Sequence, residues 1–269
     1  MTREGSDSMN LEEAINRAAE LLAEATRVVV FTGAGISTES GIPDFRSPGG
    51  VWDRFDPMEF TYQKFVSSEE SRRKYWALSK LFYEPLVAAQ PNPAHHACVA
   101  IERWGRLDCV VTQNIDGLHQ RAGLSGERVI EIHGTALTVS CLSCRHQLSR
   151  EVVQARVAAG EEVPRCEQCG GLLKPDTVSF GQAMPERETA EAFRRAESCD
   201  LCWVIGSSLA VTPAAHIPAA AMNAGARLLI LNGSETPLDA LADVVLRGKA
   251  GDLAPRIVER AKTLVGGSG

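Results

Sequence analysis

The sequence contains no apolar run long enough to cross a membrane, and residues 1–10 are too polar for the core of a signal peptide. The same segment lacks the arginine-rich amphipathic pattern of a transit peptide. Positive charge is also scarce, because the chain has 28 lysines and arginines but 34 acidic residues, which gives a net charge of −6. These absences predict a cytoplasmic protein that does not bind membranes, and they argue against a surface that binds nucleic acid through its phosphates.

The glycine fingerprint of dinucleotide-binding proteins is present only in part. Val28–Phe31 is an apolar run typical of a strand buried on both faces, and Gly33 and Gly35 follow it in a turn. Thr38 stands where the third glycine would be, and no clean second strand carries an acidic residue about 20 positions later. A helix beginning at about Ile36 would point free N–H groups at the turn and favour a pyrophosphate. By itself, the turn fits a plain strand-to-helix connection equally well.

The rest of the chain alternates apolar strand patterns with helical patterns. The strand patterns lie at 28–31, 107–112, 128–132, 201–205, 227–231 and 244–246. The helical patterns lie at 11–25, 68–83, 94–104, 185–197, 213–224 and 251–264. This order predicts an α/β fold with a Rossmann-like, doubly wound parallel sheet that binds ligands at the carboxyl ends of its strands. The aromatic stretch at 52–65 suggests a mobile flap or a small satellite domain, with ordinary core packing as the alternative.

Eight cysteines are present, and six of them form three C-x2-C pairs, of which the third is Cys199 and Cys202. Twenty-one residues separate Cys141 and Cys144 from Cys166 and Cys169. In a chain without a secretory signal, such pairs indicate metal ligands before disulfides, and four thiolates complete a closed tetrahedral zinc site. The predicted zinc is therefore structural, with unmetallated thiols as the alternative. The other four cysteines fit core packing better than redox chemistry.

Polar residues follow several of the predicted strands. These clusters are Thr112–Asp116, His133–Gly134, Gly206–Ser208 and Asn232. A single cluster of this kind is usually a helix cap or a satisfied turn. Several at one edge of a parallel sheet, beside Gly33–Gly35, indicate a binding site.

These motifs resemble the sirtuins, the NAD-dependent protein-lysine deacylases, in identity and in order over about residues 11–262. The motifs are GAGIS at 33–37, GIPDFR at 41–46, TQNIDGLH at 112–119, HG at 133–134, the cysteine pairs, KPD at 174–176, FG at 180–181, GSS at 206–208 and TPLD at 236–239. The resemblance implies a Rossmann-like NAD-binding domain made of 11–134 and 177–265, and a zinc-binding module at 135–176. It also implies a flexible cofactor-binding loop at about 36–66 and a helical flap at about 52–90.

The resemblance also assigns positions to the cofactors NAD and zinc and to the substrate. The implied NAD-binding residues are Gly33, Ala34, Gly35, Ile42, Asp44, Phe45, Arg46, Gln113, Asn114, Ile115, Asp116, His133, Gly206, Ser207, Ser208, Asn232, Lys249 and Ala250. Among them, Ala34, Gly35 and Ser207 are expected at the pyrophosphate. Asn232 and the Lys249–Ala250 loop are expected at the adenosine. The implied substrate-binding residues are Val178, Ser179, Phe180 and Gly181.

The implied reaction takes place at the ribose carbon that carries nicotinamide. Asp116 and the Ile115 backbone are expected to bind the carboxamide, and Asn114 to order water and the ribose. The acyl-lysine oxygen is a poor nucleophile, so it attacks a carbon that becomes positive as nicotinamide leaves. His133 is expected to act as general base, since its reference pKa of about 6.5 suits it to accept a ribose hydroxyl proton. The products are nicotinamide, free lysine and 2′-O-acyl-ADP-ribose.

Two other functions are compatible with the sequence. One is mono-ADP-ribosyl transfer or NAD hydrolysis at the same site, which would consume NAD without deacylating lysine. The other is a non-enzymatic NAD-sensing or zinc-ribbon interaction module. The presence of His133 within the complete set of motifs argues against this second alternative.

Two features of the sequence bear on substrate choice. Ser179 stands where relatives usually carry a bulky residue, and Gln182 where they usually carry an acidic one, in a loop expected to bind peptide by strand addition. Family members that prefer succinyl- or malonyl-lysine carry a Tyr-x-x-Arg pair, whereas the position three after Tyr75 is Leu78 here, with Arg72, Arg73 or Lys74 as alternative cations for the pocket. We therefore expect an acyl pocket without a fixed cation, activity on acetyl-lysine or longer apolar chains, and poor activity on succinyl-lysine.

Overall fold

The computed structural model describes residues 10–44 and 55–267. Its strands are β1 Val28–Thr32, β2 Leu107–Thr112, β3 Val129–Glu131, β4 Gly134–Cys141, β5 Gln147–Ser149, β6 Leu173–Thr177, β7 Leu201–Ile205, β8 Arg227–Leu231 and β9 Val244–Leu246. Its α-helices are α1 Leu11–Glu24, α2 Tyr62–Ser67, α3 Glu69–Ala88, α4 Pro93–Arg103, α5 Leu118–Arg121, α6 Arg150–Ala158, α7 Glu186–Ala196, α8 His216–Asn223 and α9 Ala250–Gly266. None of the helices in these ranges is both long enough and apolar enough to span a bilayer.

Six strands form one parallel sheet in the order β3-β2-β1-β7-β8-β9. The central strands β1 and β7 are buried along their whole length, as expected when helices cover both faces. The chain moves outward from β1 to β3 and then restarts at β7 on the other side of β1. The edge between β1 and β7 is therefore the topological switch point where α/β sheets bind ligands. The predicted fold class is confirmed.

Successive side chains of each strand point to opposite faces, and two separate apolar cores result. Val28, Val30 and Trp203 lie in the core that includes α1, α4 and α9. Val29 and Phe31 lie in the core that includes α7 and α8. The β-branched run at 28–31 thus fills both cores, which is why it reads as a continuous apolar strand.

A second, antiparallel sheet carries the cysteine pairs and has the order β5-β4-β6. Helix α6 packs on it around a small core that contains Val139, Val153 and Leu173. Trp76 of α3 belongs to the same core and is only 1% exposed. The long helix α3 is therefore held to this sheet by a large buried aromatic side chain.

Local signals located six of the nine α-helices in the described ranges, whereas α2, α5 and α6 were not predicted. Ser68 caps α3 as predicted, because its hydroxyl accepts a hydrogen bond from the Ser71 N–H. This helix continues past the predicted end near Tyr83 to Ala88, since the Ala89 N–H still donates to the Pro85 carbonyl. The predicted α-helix at about Ile36 is wrong, because the chain forms two 3-10 turns there and leaves them at Gly41 with a φ of +86°.

Candidate active site

A cavity of about 430 Å³ lies beside the carboxyl ends of β1 and β2 and extends to α3 and β6. Eleven predicted site residues line it, namely Ala34, Ile42, Gln113, Asn114, Ile115, Asp116, His133, Val178, Ser179, Phe180 and Gly181. The structure thus brings together the residues predicted for the nicotinamide end of NAD and for the substrate. Phe45 and Arg46 lie outside the described residues, and Asp44, which is described, is not in the cavity wall.

Gly33 and Gly35 are required because the loop after β1 contacts the loop after β7 closely at Gly206. A Cβ at Gly35 would come within 2.7 Å of the Gly206 Cα, and one at Gly206 would meet the Ile36 nitrogen at 2.2 Å. The Gly35 N–H donates to the Gly206 carbonyl at 2.8 Å. Ile36 and Ser37 donate to the carbonyls of Gly33 and Ala34. The expectation of free N–H groups at these three positions is therefore wrong, because each is already satisfied within the protein.

Asn114 and Asp116 are held by Ser37 in a buried polar cluster. The Asn114 amide donates to the Ser37 hydroxyl at 3.1 Å and to the Gly33 carbonyl at 3.2 Å. Ser37 in turn donates to an Asp116 carboxylate oxygen at 2.8 Å, and the other oxygen accepts the Leu118 N–H. Burial raises the pKa of Asp116, although these hydrogen bonds partly offset the effect. The cluster fixes one amide and one carboxylate at the cavity wall.

Two histidines lie beneath this cluster in the protein interior. His95 is within 3.4 Å of the Ser37 hydroxyl, and His119 is within 3.0 Å of the Thr32 hydroxyl. Burial lowers the pKa of His95 to about 4 and that of His119 to about 3, so both are neutral near pH 7. Their rings contact each other edge to face with centroids 5.1 Å apart. Neither was assigned a role from sequence, since a buried histidine has no local sequence signal.

His133 follows β3 and lies in the cavity wall with one ring nitrogen tied to the backbone. Its Nδ1 is 3.2 Å from the Gln113 carbonyl oxygen, which can only accept a hydrogen bond. Nδ1 therefore carries the proton in this contact, and the neutral ring presents Nε2 as its basic nitrogen. This is the tautomer that a general base at this position needs.

The residues predicted for the pyrophosphate and adenosine lie along the same sheet edge. Gln113 donates to the Ser207 hydroxyl at 2.8 Å and so connects the loops after β2 and β7 across β1. Asn232 follows β8, and its side-chain amide closes a turn by donating to the Ser234 carbonyl. Six predicted residues lie outside the cavity wall, namely Gly206, Ser207, Ser208, Asn232, Lys249 and Ala250. Gly33 and Gly35 are also outside it and support Ala34 from the turn.

The loop predicted to bind substrate follows β6 and has part of its backbone already bonded. Val178 donates to the His133 carbonyl, which fixes the loop beside that histidine. The carbonyls of Phe180 and Gly181 accept hydrogen bonds from Tyr62 and Gln63 of α2. Gln182, noted as a departure from the family pattern, accepts the Ser179 N–H at 3.2 Å. Its side chain thus satisfies a backbone donor of this loop from within the protein.

The far wall of the cavity contains a cation that the sequence analysis did not anticipate. Tyr75 and Leu78 line the cavity as expected, and Arg150 of α6 lines it with them. Arg150 is thus a buried cation in the same cavity wall as Leu78, where the sequence predicted none. Arg150 escaped prediction because it comes from a different module, and the fold alone brings it to α3.

The four predicted metal ligands lie together at one end of the small sheet. All four sulfurs are within 4.8 Å of one another, and the closest pairs are 3.5 and 3.6 Å apart. A tetrahedral zinc with bonds of about 2.3 Å requires sulfur separations of about 3.8 Å, which this cluster fits. A Cβ at Gly171 would approach the Cys141 sulfur to 2.7 Å, so glycine is needed where the second knuckle turns.

The chain is similar to proteins of one family along nearly its whole length. Residues 33–213 match the model of the Sir2 family. The NAD-dependent protein deacetylase of Thermodesulfovibrio yellowstonii is 42% identical over 255 residues, covering 95% of this chain and 98% of that protein. The NAD-dependent protein deacylase 2 of Archaeoglobus fulgidus is 44% identical over 255 residues, covering 94% of this chain and 98% of that protein.

Solved structures give the same result at the level of the backbone. A structure from work on the mechanism and regulation of Sir2 enzymes has a TM-score of 0.86 and 43% identity, covering 94% of this chain and 99% of that one. A Sir2 variant with a deacetylated p53 peptide and 3′-O-acetyl-ADP-ribose has a TM-score of 0.84 and 36% identity, with coverage of 93% and 98%. Sir2Af2 bound to a myristoylated histone peptide has a TM-score of 0.78 and 38% identity, with coverage of 95% and 99%.

Proposed function

The chain belongs to the Sir2 family, and from this premise and the geometry of its site we propose that it is an NAD-dependent protein-lysine deacylase. It transfers the acyl group of a modified lysine to ADP-ribose and releases nicotinamide. The observation that carries this conclusion is the meeting of His133, Asn114, Asp116 and the substrate loop in one cavity. Relatives named as NAD-dependent protein deacetylase and deacylase support it over nearly the full chain length.

Bound NAD supplies a ribose carbon that becomes electrophilic as nicotinamide departs. The Asp116 carboxylate, oriented by Ser37, accepts a hydrogen bond from the carboxamide of nicotinamide and thereby fixes the ring. Asn114, held by Ser37 and the Gly33 carbonyl, orders water and the adjoining ribose. Both side chains keep these orientations before ligand binds, so little reorganisation is needed during the reaction.

His133 accepts the proton of a ribose hydroxyl at Nε2. The Gln113 carbonyl holds the proton on Nδ1, and this contact keeps the ring in the correct tautomer. The hydrogen bond from Val178 to the His133 carbonyl sets the substrate loop next to the base. A lysine side chain entering beside Val178 and Phe180 therefore meets the base and the cofactor in the same cavity.

The remaining predicted NAD-binding residues support the other end of the cofactor in this proposal. Ala34, Ser207 and their neighbouring backbone hold the pyrophosphate at the switch point between β1 and β7. Asn232 and the Lys249–Ala250 loop face the adenosine. The segment 11–134 with 177–265 forms the NAD-binding domain, and 135–176 forms the zinc module. Cys141, Cys144, Cys166 and Cys169 hold a structural zinc whose closed ligand set leaves no position for catalysis.

We also propose the substrate and the cellular location. Sir2 structures occur with deacetylated p53 peptide and with a myristoylated histone peptide. Acyl-lysine peptides are therefore the proposed substrates, with acetyl or longer acyl groups. None of the eight cysteines forms a disulfide, which fits a cytoplasmic location because that compartment keeps thiols reduced.

Mass spectrometry of acyl-lysine peptides incubated with NAD tests the function directly. Equal amounts of nicotinamide, deacylated peptide and O-acyl-ADP-ribose are expected. Release of nicotinamide without deacylated peptide would instead establish ADP-ribosyl transfer or NAD hydrolysis at this site. Absence of all three products across acetyl, butyryl and myristoyl peptides would refute the enzymatic proposal.

A further inference from the structure

Arg150, the first residue of α6, is a buried cation in the cavity wall without a carboxylate partner among the described residues. It is 4% exposed. The hydrogen bonds of Arg150 all come from Nη2. This nitrogen donates to the Ser79 carbonyl at 3.3 Å, to the Ser79 hydroxyl at 2.8 Å and to the Gln154 side-chain oxygen at 2.9 Å. The Nε of Arg150 is buried without an acceptor among the described residues. A guanidinium stays protonated at every physiological pH, so a full charge is left without an ion pair.

Two aromatic rings hold this guanidinium in place. Its central carbon is 5.2 Å from the centroid of Trp76 and 5.3 Å from that of Tyr83. Cation–π contacts favour the charge and fix the plane of the group, but they do not supply hydrogen-bond acceptors. Burial correspondingly lowers the pKa of Arg150. The side chain is therefore positioned in advance, with donors that the protein does not satisfy.

A second buried cation near Tyr75 is Lys174, whose charged form is favoured by Asp176. Lys174 is 2% exposed and lies 5.9 Å from the Tyr75 ring, with its ammonium bonded to the carbonyls of Pro175 and Thr177. Asp116, the acidic residue in the cavity wall, is already bonded to Ser37 and to the Leu118 N–H. An anion entering this region from solution thus finds in Arg150 a cation that no carboxylate among the described residues neutralises.

We propose, building on the deacylase function above, that Arg150 binds the terminal carboxylate of the lysine acyl group. The substrates it selects are lysines modified with dicarboxylic acyl chains longer than succinyl. A carboxylate is the acceptor whose shape and charge match the unused donors of a guanidinium. His133 and Arg150 line the same cavity, so the acyl end of a lysine bound beside His133 enters a space that Arg150 also lines.

The length requirement follows from the course of α3. The Tyr75 hydroxyl is 3.2 Å from the Thr177 hydroxyl, directly before the substrate loop. Arg150 contacts Ser79 and Tyr83, one and two helical turns beyond Tyr75, or about 6 and 12 Å along the helix axis. Leu78 lines the wall between these positions and offers no donor side chain. Leu78 gives a succinyl carboxylate no partner, whereas the longer adipoyl and suberoyl chains carry their carboxylate further along α3, in the direction of Arg150.

Arg150 also joins α3 to α6, and a purely structural role predicts different kinetics. The test compares kcat/KM for peptides that carry adipoyl or suberoyl groups with that for methyl-terminated chains of equal length. Wild type is assayed beside Arg150→Gln and Arg150→Lys. Arg187→Gln, which removes an exposed cation from α7, is the matched control. We expect Arg150→Gln to reduce kcat/KM for the carboxylated chains by roughly tenfold or more and for the methyl-terminated chains by less than about threefold. Arg150→Lys should restore part of the difference.

Equal losses on both kinds of chain, or no preference of the wild type for a carboxylated chain at any length, would overturn the proposal. The deacylase function is judged separately, from turnover of acetyl-lysine by the wild type. If that turnover were absent, calorimetric binding of the adipoyl and hexanoyl peptides would still decide the role of Arg150. Tighter binding of the adipoyl peptide that Arg150→Gln abolishes would support it, and equal binding would refute it.

Discussion

The Ser37 hydroxyl donates a 2.8 Å hydrogen bond to the Asp116 carboxylate and accepts one of 3.1 Å from the Asn114 amide. One small side chain from the first glycine motif thus orients two residues from the loop after β2. This contact crosses from the end of β1 to the end of β2, and it explains why the two motifs must occur in the same chain. It also supplies a graded test of the site.

Replacing Asp116 with asparagine should raise the KM for NAD and lower kcat/KM by roughly 10- to 100-fold, because a charged acceptor for the carboxamide is lost. Ser37→Ala should have a smaller effect, since the carboxylate stays but loses an orienting bond. Burial raises the pKa of Asp116, so removing its charge should not greatly lower the free energy of unfolding. Initial rates at varied NAD and urea unfolding measure these changes. An unchanged KM for NAD in Asp116→Asn would remove Asp116 from the cofactor site.

His133→Ala should reduce deacylation by about 10²- to 10⁴-fold while leaving the Kd for NAD within about threefold of wild type, since a general base acts after the cofactor is bound. His96→Ala, at an exposed position on α4, serves as the control and should retain wild-type rates. Single-turnover kinetics and calorimetry separate the two effects. Near-normal turnover by His133→Ala would rule out the proposed base.

The buried histidines should make the protein sensitive to acid. His119 has a folded-state pKa of about 3 against a reference value of about 6.5, so between these values the unfolded chain binds more protons. The stability contributed by this neutral histidine is complete above pH 6.5 and is lost as the pH falls. The free energy of unfolding should decrease by up to about 1.4 kcal/mol per pH unit for this group.

Urea denaturation at pH 6.5, 5.5 and 4.5 measures that slope in wild type and in His119→Gln. The variant lacks the titrating ring and should show a shallower decline, although His95, with a pKa of about 4, continues to contribute. Parallel slopes in the two proteins would show that His119 does not control the acid response.

Cys166→Ser should release zinc and lower the thermal midpoint, because metal binding and local folding are coupled. Cys199→Ser is the control, since its sulfur lies outside the four-cysteine cluster. Trp76 packs in the same small core as Cys166, so amide exchange should also accelerate in α3. Elemental analysis, calorimetry and hydrogen exchange provide the three readouts. A metal-free Cys166→Ser protein with unchanged stability would show that the site is dispensable.

The sequence predicted the six strands of the parallel sheet with the helices between them, the zinc ligands and the family, because each has a local or ordered signal. The β-branched run at 28–31 and the spacing of the cysteine pairs are signals of this kind. Two features near the cavity that the sequence did not predict have a different origin. The chain after Gly35 forms 3-10 turns because its N–H groups bond locally and to Gly206, and Arg150 reaches the cavity from another module. Both depend on contacts between distant segments, which periodicity and spacing do not encode.

The contact between Gly35 and Gly206 also restricts which substitutions these two positions can accept. Each residue fills the space that a methyl group on the other would need, so alanine at either position displaces backbone rather than a side chain. No single compensating substitution can restore that space, because the obstructing atoms belong to the main chain. Each of the two loops therefore requires the glycine of the other.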